Sequence, residues 1–210
     1  MDVFDAMSTA RAIRRYTDEP VPDDAVRKCL EAATWSPSGG NRQGWRFVIL
    51  RSPEVRKILG ETYRTAWATA KFDYGLTGEE APDDPAPRAR MGRTMQHFVD
   101  HFEDIPVLVL FCLQGRGHRP ALAEGGSIYP AMQNFSLAAR AQGLGTVVTT
   151  FFLAAEPQLR EAIGIPDDWL LAGLLPLGWP VGRHGPLRRR PVEDVTYVDH
   201  WGEGFGQAPT

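Results

Sequence analysis

Residues 33–50 have the sequence ATWSPSGGNRQGWRFVIL, which changes from helix to loop to strand within a short span. Upstream, residues 21–24 supply a helix start with a proline and a capping aspartate. Apolar residues then recur with helical spacing at Val26, Leu30 and Ala33. The small, turn-forming residues 36–41 cannot continue that helix, and their backbone can approach a ligand closely. Residues 45–50 are apolar and predict a buried strand.

The other elements alternate along the chain. Helices are expected over 3–13, 127–142 and 157–163. Two more are expected between them, one that begins at residue 53 and one that follows residue 90 and ends at about 103. Strands are expected over 105–111, 146–151, 170–177 and 195–198. Residues 73–90, rich in glycine, proline and acids, predict a mobile surface loop or lid rather than a domain linker. This alternation favours an α/β or α+β fold, and 210 residues favour one domain. Trp35 and Trp45 are expected in the core rather than against a ligand.

The composition excludes several classes of protein. The formal net charge of −3 gives no basic excess for nucleic acid or an anionic membrane surface. No segment is apolar for as long as a membrane span requires, and the N-terminus has no signal-peptide pattern, so we expect a cytoplasmic protein. Cys29 and Cys112 are far apart in apolar contexts and predict buried free thiols.

Common catalytic and metal-binding signatures are absent from the sequence. It contains no nucleophile elbow, no Walker A loop and no H-E-x-x-H motif. Gly143-Leu144-Gly145 follows a predicted helix, whereas a dinucleotide fingerprint follows a strand. His97 and His101 have a spacing that could share a metal, but no third ligand is evident nearby, and we expect no metal.

Positive charge is concentrated at two places. Arg11, Arg14 and Arg15 lie near the start, and arginines 183 and 188–190 lie near the end. A phosphorylated aromatic cofactor needs several cationic donors, and the guanidinium fork matches phosphate oxygens. For each cluster, an anion site and a solvated surface both remain open.

Taken in order, these motifs resemble the nitroreductase superfamily of FMN enzymes. The resemblance is carried by residues 9–16 (TARAIRRY), 33–45, 133–134, 143–146, 175–180 (LPLGWP) and 188–193 (RRRPVE). It implies an α+β fold with three layers, α-β-α, around a mostly antiparallel sheet, formed by one domain over 1–210. It also implies a homodimer with FMN at the interface, in which the C-terminal segment from Val192 reaches the partner; the alternative is that this segment closes its own sheet. Residues 61–103 fall outside the resemblance; this stretch varies in the family and shapes the substrate pocket or lid.

The resemblance assigns phosphate and ribityl contacts to two segments. Arg11, Ala12, Ile13 and Arg14 match the N-terminal cofactor motif, and Arg189 matches a C-terminal arginine that completes the phosphate site. The usual motif has an arginine and a serine where this chain has Ala10 and Ala12, so one cation and one hydroxyl are missing.

Two further segments are assigned to the flavin ring. Ser38, Gly39 and Asn41 match the loop that approaches the flavin from the partner subunit. Thr149 and Thr150 match a strand end close to flavin N5, as in the iodotyrosine deiodinase branch; ordinary strand composition is the alternative explanation. The lysine with which that branch holds its amino acid substrate is missing before Ile105, where Val99 and Asp100 stand, so iodotyrosine is not expected as the substrate.

The resemblance implies an FMN-dependent oxidoreductase. Its electrons would come from NAD(P)H and pass by a ping-pong mechanism to electron-poor aromatics, either nitroaromatic or quinone-like. No side chain is assigned as a catalytic acid or base. Two alternatives stay open: a specialised enzyme such as a reductive dehalogenase or a reductase with another donor, and a protein that binds or sequesters FMN without turnover. Phe72, Tyr74 and Phe98 could line an acceptor pocket or serve packing.

Overall fold

The computed structural model describes residues 1–77, 81, 83–115 and 121–205. Its helices are α1 (Val3–Thr9), α2 (Asp23–Thr34), α3 (Pro53–Ala70), α4 (Pro87–Asp100), α5 (Ala121–Ala141) and α6 (Glu156–Ile163). Its strands are β1 (Trp45–Ile49), β2 (Val107–Gln114), β3 (Gly145–Thr146) and β4 (Trp169–Gly178).

The strands form one sheet in the order β1-β2-β4-β3, and all of its strand pairs are antiparallel. β2 is central, pairing with β1 from Trp45↔Leu113 to Ile49↔Val109, and with β4 along its whole length. The antiparallel pairing decides between the two fold classes left open by the element order, because an α/β fold has a mostly parallel sheet.

Each face of the sheet is covered by its own apolar core. Alternate residues of β2 point to opposite faces. Leu108, Leu110 and Cys112 pack in one core with residues of α3 and α4. Val107, Val109, Phe111 and Leu113 pack in the other with residues of α2 and α5. The predicted three-layer α-β-α architecture is therefore confirmed.

Arg56 on α3 connects the first core to the start of β2. Its guanidinium donates hydrogen bonds to the carbonyl oxygens of Glu103 (2.9 Å), Ile105 (2.7 Å) and Pro106 (3.1 Å). These carbonyls belong to the turn between α4 and β2, so the guanidinium holds that turn against α3. Burial lowers the pKa of the Arg56 guanidinium, the expected direction for a cation taken out of water.

Two predicted strands differ from the structure. The strand predicted over 146–151 is reduced to Gly145–Thr146, followed by an isolated bridge from Thr149 to Leu174 and a 3-10 turn over Phe151–Ala155. The segment 195–198 is also not a strand: a 3-10 turn spans Val192–Val195, and Tyr197 makes one isolated bridge to Gly204. In both places β-branched composition is present, but among the described residues no continuous partner strand pairs with it.

Several element ends also differ. The first helix ends at Thr9 rather than 13, because Ala10 adopts an extended backbone. α5 begins at Ala121, before the predicted 127, and α4 begins at Pro87, inside the predicted loop 73–90. Residues 78–80 and 82 of that loop lie outside the described residues. The predicted aspartate cap of α2 is wrong, since Pro22 occupies the cap position and Asp23 pairs with Arg51 instead.

Cys29 and Cys112 are buried free thiols, as predicted. Trp45 is in the core, but Trp35 is 78% exposed, so its prediction as a core residue is wrong. Among the described helices, none has the combination of length and hydropathy that a membrane span requires.

Candidate functional site

The N-terminal segment after α1 lies along the short strand β3. Ala12 forms a parallel bridge with Thr146, and the Ile13 N–H donates to the Thr146 carbonyl oxygen at 3.0 Å. The buried Ile13 side chain packs directly on Gly145, where a Cβ would come within 2.8 Å of it. The absence of a side chain at Gly145 therefore allows the segment that carries Arg11 and Arg14 to lie this close to the sheet.

A cavity of about 700 Å³ opens between this segment, the end of α5 and the basic loop after β4. Five arginines line it: Arg11, Arg14, Arg140, Arg183 and Arg189. Of the described residues that line it, none is acidic. Ile13, Leu144, Val147 and Val148 add an apolar portion to the wall. The cavity thus combines a cationic surface with an apolar one.

The arginine contacts in this cavity are to neutral groups. Arg11 donates to the Gly185 carbonyl oxygen at 3.5 Å, Arg189 to the Arg188 carbonyl oxygen at 3.0 Å, and Arg140 Nε to Thr9 Oγ1 at 2.9 Å. Among the described residues, none of the five arginines makes a salt bridge. Their charge is therefore available to an anionic ligand.

A buried hydroxyl lies in the same wall. Thr146 is 6% exposed, and its Oγ1 has no hydrogen-bond partner among the described residues. A buried polar atom without a partner is costly and is usually satisfied by a ligand or water. Thr146 therefore offers one more polar contact to a molecule in the cavity.

Arg14 joins this cavity to a second one of about 360 Å³. Arg14, Val147 and Val148 line both. The rest of the second cavity is formed by Tyr74, Met91, Met95, Phe98, Thr149, Thr150 and Phe151. Burial lowers the pKa of the Arg14 guanidinium, while the nearby Tyr16 and Tyr74 raise it. An arginine remains charged under such shifts, so a cation stands between the two cavities.

The structure brings some of the predicted site residues together and not others. Arg11, Ala12, Ile13, Arg14 and Arg189 line the larger cavity, and Thr149 and Thr150 line the smaller one. Ser38, Gly39 and Asn41 line neither. Their loop is instead tied to α5, where the Gly39 N–H donates to Ser127 Oγ at 3.2 Å. Gly40 and Asn41 have left-handed backbones, with φ of 66° and 51°.

Arg140 and Thr146 are cavity residues that the sequence argument did not single out. Arg140 lies in the last turn of α5, and Thr146 follows the glycine break after it. The sequence signal that could have indicated Arg140 is its position shortly before Gly143-Leu144-Gly145, because a glycine break ends the helix and turns the chain there.

The histidine pair lines a third cavity, of about 470 Å³, which shares Arg14 with the other two. The rings of His97 and His101 are 4.5 Å apart. His101 Nδ1 lies 3.4 Å from Asp104 Oδ2. Within the described part of the chain, no group of three metal-ligating side chains is found.

A family model described as the Nitroreductase family matches residues 7–179, most of the chain. The chain belongs to the Nitroreductase family. Within that family it is 30% identical to an NADH dehydrogenase from Thermus thermophilus, with 93% of this chain and 96% of the relative covered. It is 26% identical to an iodotyrosine deiodinase from Nematostella vectensis, with 92% and 74% covered.

Solved structures of this family have the same fold. A protein described as a nitroreductase, from Desulfovibrio desulfuricans and solved in complex with FMN, superimposes with a TM-score of 0.69. It is 26% identical to this chain, and the match covers 96% of this chain and 98% of the other. The resemblance found in the sequence is thereby confirmed at the level of family and fold.

Proposed function

We propose that this chain is an FMN-dependent oxidoreductase that transfers electrons from NADH or NADPH to electron-poor aromatic acceptors. The observation that carries the proposal is the pair of joined cavities. One is lined by five arginines and, among the described residues, no acid; the other is lined largely by apolar side chains. Family membership and the FMN complex of the Desulfovibrio desulfuricans protein support it.

The residues of the larger cavity fit FMN chemically. Arg11 and Arg189 are the candidates for binding its phosphate, because their guanidinium groups line the cavity without carboxylate partners. The buried Thr146 hydroxyl is a candidate partner for a polar atom of the cofactor. The backbone and side chains of Ala12 and Ile13 form a wall beside which the flat ring system can lie. FMN would supply a carrier that takes a hydride from one substrate and delivers electrons to another.

The smaller cavity is the proposed acceptor site. Met91, Met95, Phe98 and Phe151 give it an apolar wall suited to an aromatic ring. Tyr74, Met91, Met95 and Phe98 all come from the variable stretch 61–103, which supports a role of that stretch in acceptor choice. Thr149, Thr150 and Tyr74 bring hydroxyl groups to this cavity, and the two threonines are the proposed donors to the reacting part of the acceptor or the flavin.

We infer that the working form is a homodimer. Ser38, Gly39 and Asn41 lie away from the cavities of their own chain, so a cofactor contact by this loop requires a second copy. Several large apolar side chains are exposed on the surface of the single chain, and a partner subunit would bury them. They include Trp35 (78% exposed), Val192 (56%), Val195 (59%) and Trp201 (92%). The last three belong to the C-terminal segment that we propose to reach the partner.

The reaction balances without a dedicated side-chain acid. Reducing a nitro group to a nitroso group takes two electrons and two protons and releases water. NADH supplies the hydride, which carries both electrons and one proton, and solvent supplies the second proton. The donor and the acceptor would use the same open site in turn. The side chains would bind the cofactor and the substrates, orient them and tune the reduction potential of the flavin. Arg14 lines both cavities, so its charge could stabilise negative charge that develops between them.

The experiment is an absorbance titration of the purified protein. We expect added FMN to bind, NADH or NADPH to bleach the flavin bands, and a nitroaromatic or quinone to restore them. A protein that takes up no FMN would refute the proposal. Bound FMN that neither nicotinamide reduces would favour another electron donor or an FMN-binding protein without turnover.

Reductive dehalogenation is the second candidate. It is favoured by the two threonines of the smaller cavity and by the similarity to an iodotyrosine deiodinase. Val99 is fully buried and carries no charge, so the site lacks a lysine there for an amino acid substrate. Release of halide from a halogenated phenol by the reduced protein, at a rate above free reduced FMN, would identify this activity.

A further inference from the structure

Arg140 is held in the wall of the larger cavity by a two-step hydrogen-bond chain. Its Nε donates to Thr9 Oγ1 at 2.9 Å, and Thr9 Oγ1 donates to the Asp5 carbonyl oxygen at 2.5 Å. A hydroxyl has one proton to donate, so its use toward Asp5 turns a lone pair of the oxygen toward Arg140. The guanidinium is thus fixed at one edge before any ligand arrives.

The other edge of the Arg140 guanidinium is available. Among the described residues, no hydrogen bond or ion pair to Nη1 or Nη2 is present, and no acid lines the cavity. An arginine anchored through Nε keeps Nη1–H and Nη2–H for a ligand, and ordering it beforehand lowers the cost of binding. We propose that Arg140 binds the phosphate group of FMN, an inference that rests on the proposed function.

A purely structural role is the competing explanation. A cation in the last turn of α5 interacts favourably with the helix dipole, and the Thr9 contact ties α5 to α1. Such a role would affect stability and would not distinguish a flavin with a phosphate from one without. The comparison of FMN with riboflavin, which lacks the phosphate, therefore separates the two roles.

The test measures dissociation constants for FMN and riboflavin by quenching of flavin fluorescence. For Arg140→Met we expect the Kd for FMN to rise about 30-fold, because the phosphate loses one hydrogen bond to a charged donor. The Kd for riboflavin should change less than about threefold. Arg27→Met is the matched control, because Arg27 is exposed on α2 and lines none of the three cavities. It should leave both constants unchanged.

Two further variants keep the test decisive. Arg140→Gln retains hydrogen bonding and serves if Arg140→Met does not fold, with the same selective loss expected. Ala10 lines the same cavity next to Thr9, so Ala10→Arg in the Arg140→Met background should restore part of the FMN affinity. Equal weakening of FMN and riboflavin, or no weakening of FMN, would overturn the inference while leaving the proposed function intact. Absence of FMN binding by the unaltered protein would overturn both.

Discussion

Gly145→Ala tests whether the contact between the N-terminal segment and β3 builds the cofactor cavity. A Cβ at this position would lie 2.7 Å from Cγ1 of Ile13, 2.8 Å from its Cβ and 2.8 Å from its Cγ2. Ordinary carbon contacts are about 3.5–4.0 Å, so a shift of about 1 Å is required. A new rotamer cannot move the Cβ of Ile13, so the backbone itself must give way.

The expected loss in the free energy of unfolding follows from that backbone shift. Overpacking a buried contact costs about 1–3 kcal/mol, and the Ile13–Thr146 backbone hydrogen bond of 3.0 Å is strained as well. For a chain of 210 residues, about 2 kcal/mol corresponds to a Tm lower by about 4–8 °C. Arg11 and Arg14 flank Ile13, so their displacement should raise the Kd for FMN at least about tenfold.

The assay combines thermal unfolding with FMN titration at one fixed protein concentration, because oligomer stability depends on concentration. Gly44→Ala is the control, since its Cβ would meet the nearest atoms at 3.7 Å and 3.9 Å. It should change neither Tm nor Kd. If Gly145→Ala keeps both the Tm and the FMN affinity of the unaltered protein, the segment does not depend on this close packing and the account of the cavity is wrong.

Three other predictions concern the site, the core and the thiols. Arg11→Ala and Arg189→Ala should each raise the Kd for FMN about tenfold or more; unchanged affinity in both would contradict the proposed phosphate site. Arg56→Met should lower the free energy of unfolding by about 2–4 kcal/mol in urea titrations, because three carbonyls lose a charged donor, and a loss below about 1 kcal/mol would argue against that role. Burial raises the pKa of Cys29 to about 12 and that of Cys112 to about 11, so neither thiol should react with a disulfide reagent at about pH 8 until the chain unfolds. Because the thiols ionise at a lower pH in the unfolded chain than in the folded one, their contribution to stability is present below about pH 8.5 and is lost as the pH rises toward the two raised pKa values. Rapid labelling of either thiol in the folded protein would show that it is not buried.

The layered core was predictable because it depends on local patterns. β2 is apolar at every position from Val107 to Leu113, and such a run predicts a strand with both faces buried. The glycine-rich loop before Trp45 likewise predicts a break between helix and strand. Strand partners could not be read from these patterns, so the α+β class with its antiparallel sheet came from the family resemblance rather than from the residues.

The failed strand predictions have a common physical reason. Residues 146–151 are rich in β-branched residues, but pairing needs an edge with free backbone groups. After Thr146 the described part of the chain pairs this stretch with the sheet only at Thr149↔Leu174, and Val148 is 45% exposed. β propensity describes how well a side chain fits a pleated surface, and it does not say whether a neighbouring strand is present.

The cavity was harder to predict than the core because its contacts span the whole chain. Thr9 and Arg140 are 131 positions apart, and Arg11 and Gly185 are 174 apart. Neither pairing leaves a periodic trace in the sequence. The resemblance supplied Arg11, Arg14 and Arg189, whereas Arg140 could be found only once α5 and α1 were placed side by side.

The wrong prediction for Trp35 bears on the proposed dimer. From the sequence we expected this side chain in the core rather than against a ligand, yet it is 78% exposed in the single chain. Trp35 closes α2 immediately before the loop that carries Ser38 and Gly39, the residues expected to reach the partner's cofactor. If that loop enters the partner's cavity, the neighbouring surface must be covered at the same time. The same contact would therefore bury the tryptophan, and its apolar character is then a requirement of the interface rather than of the core.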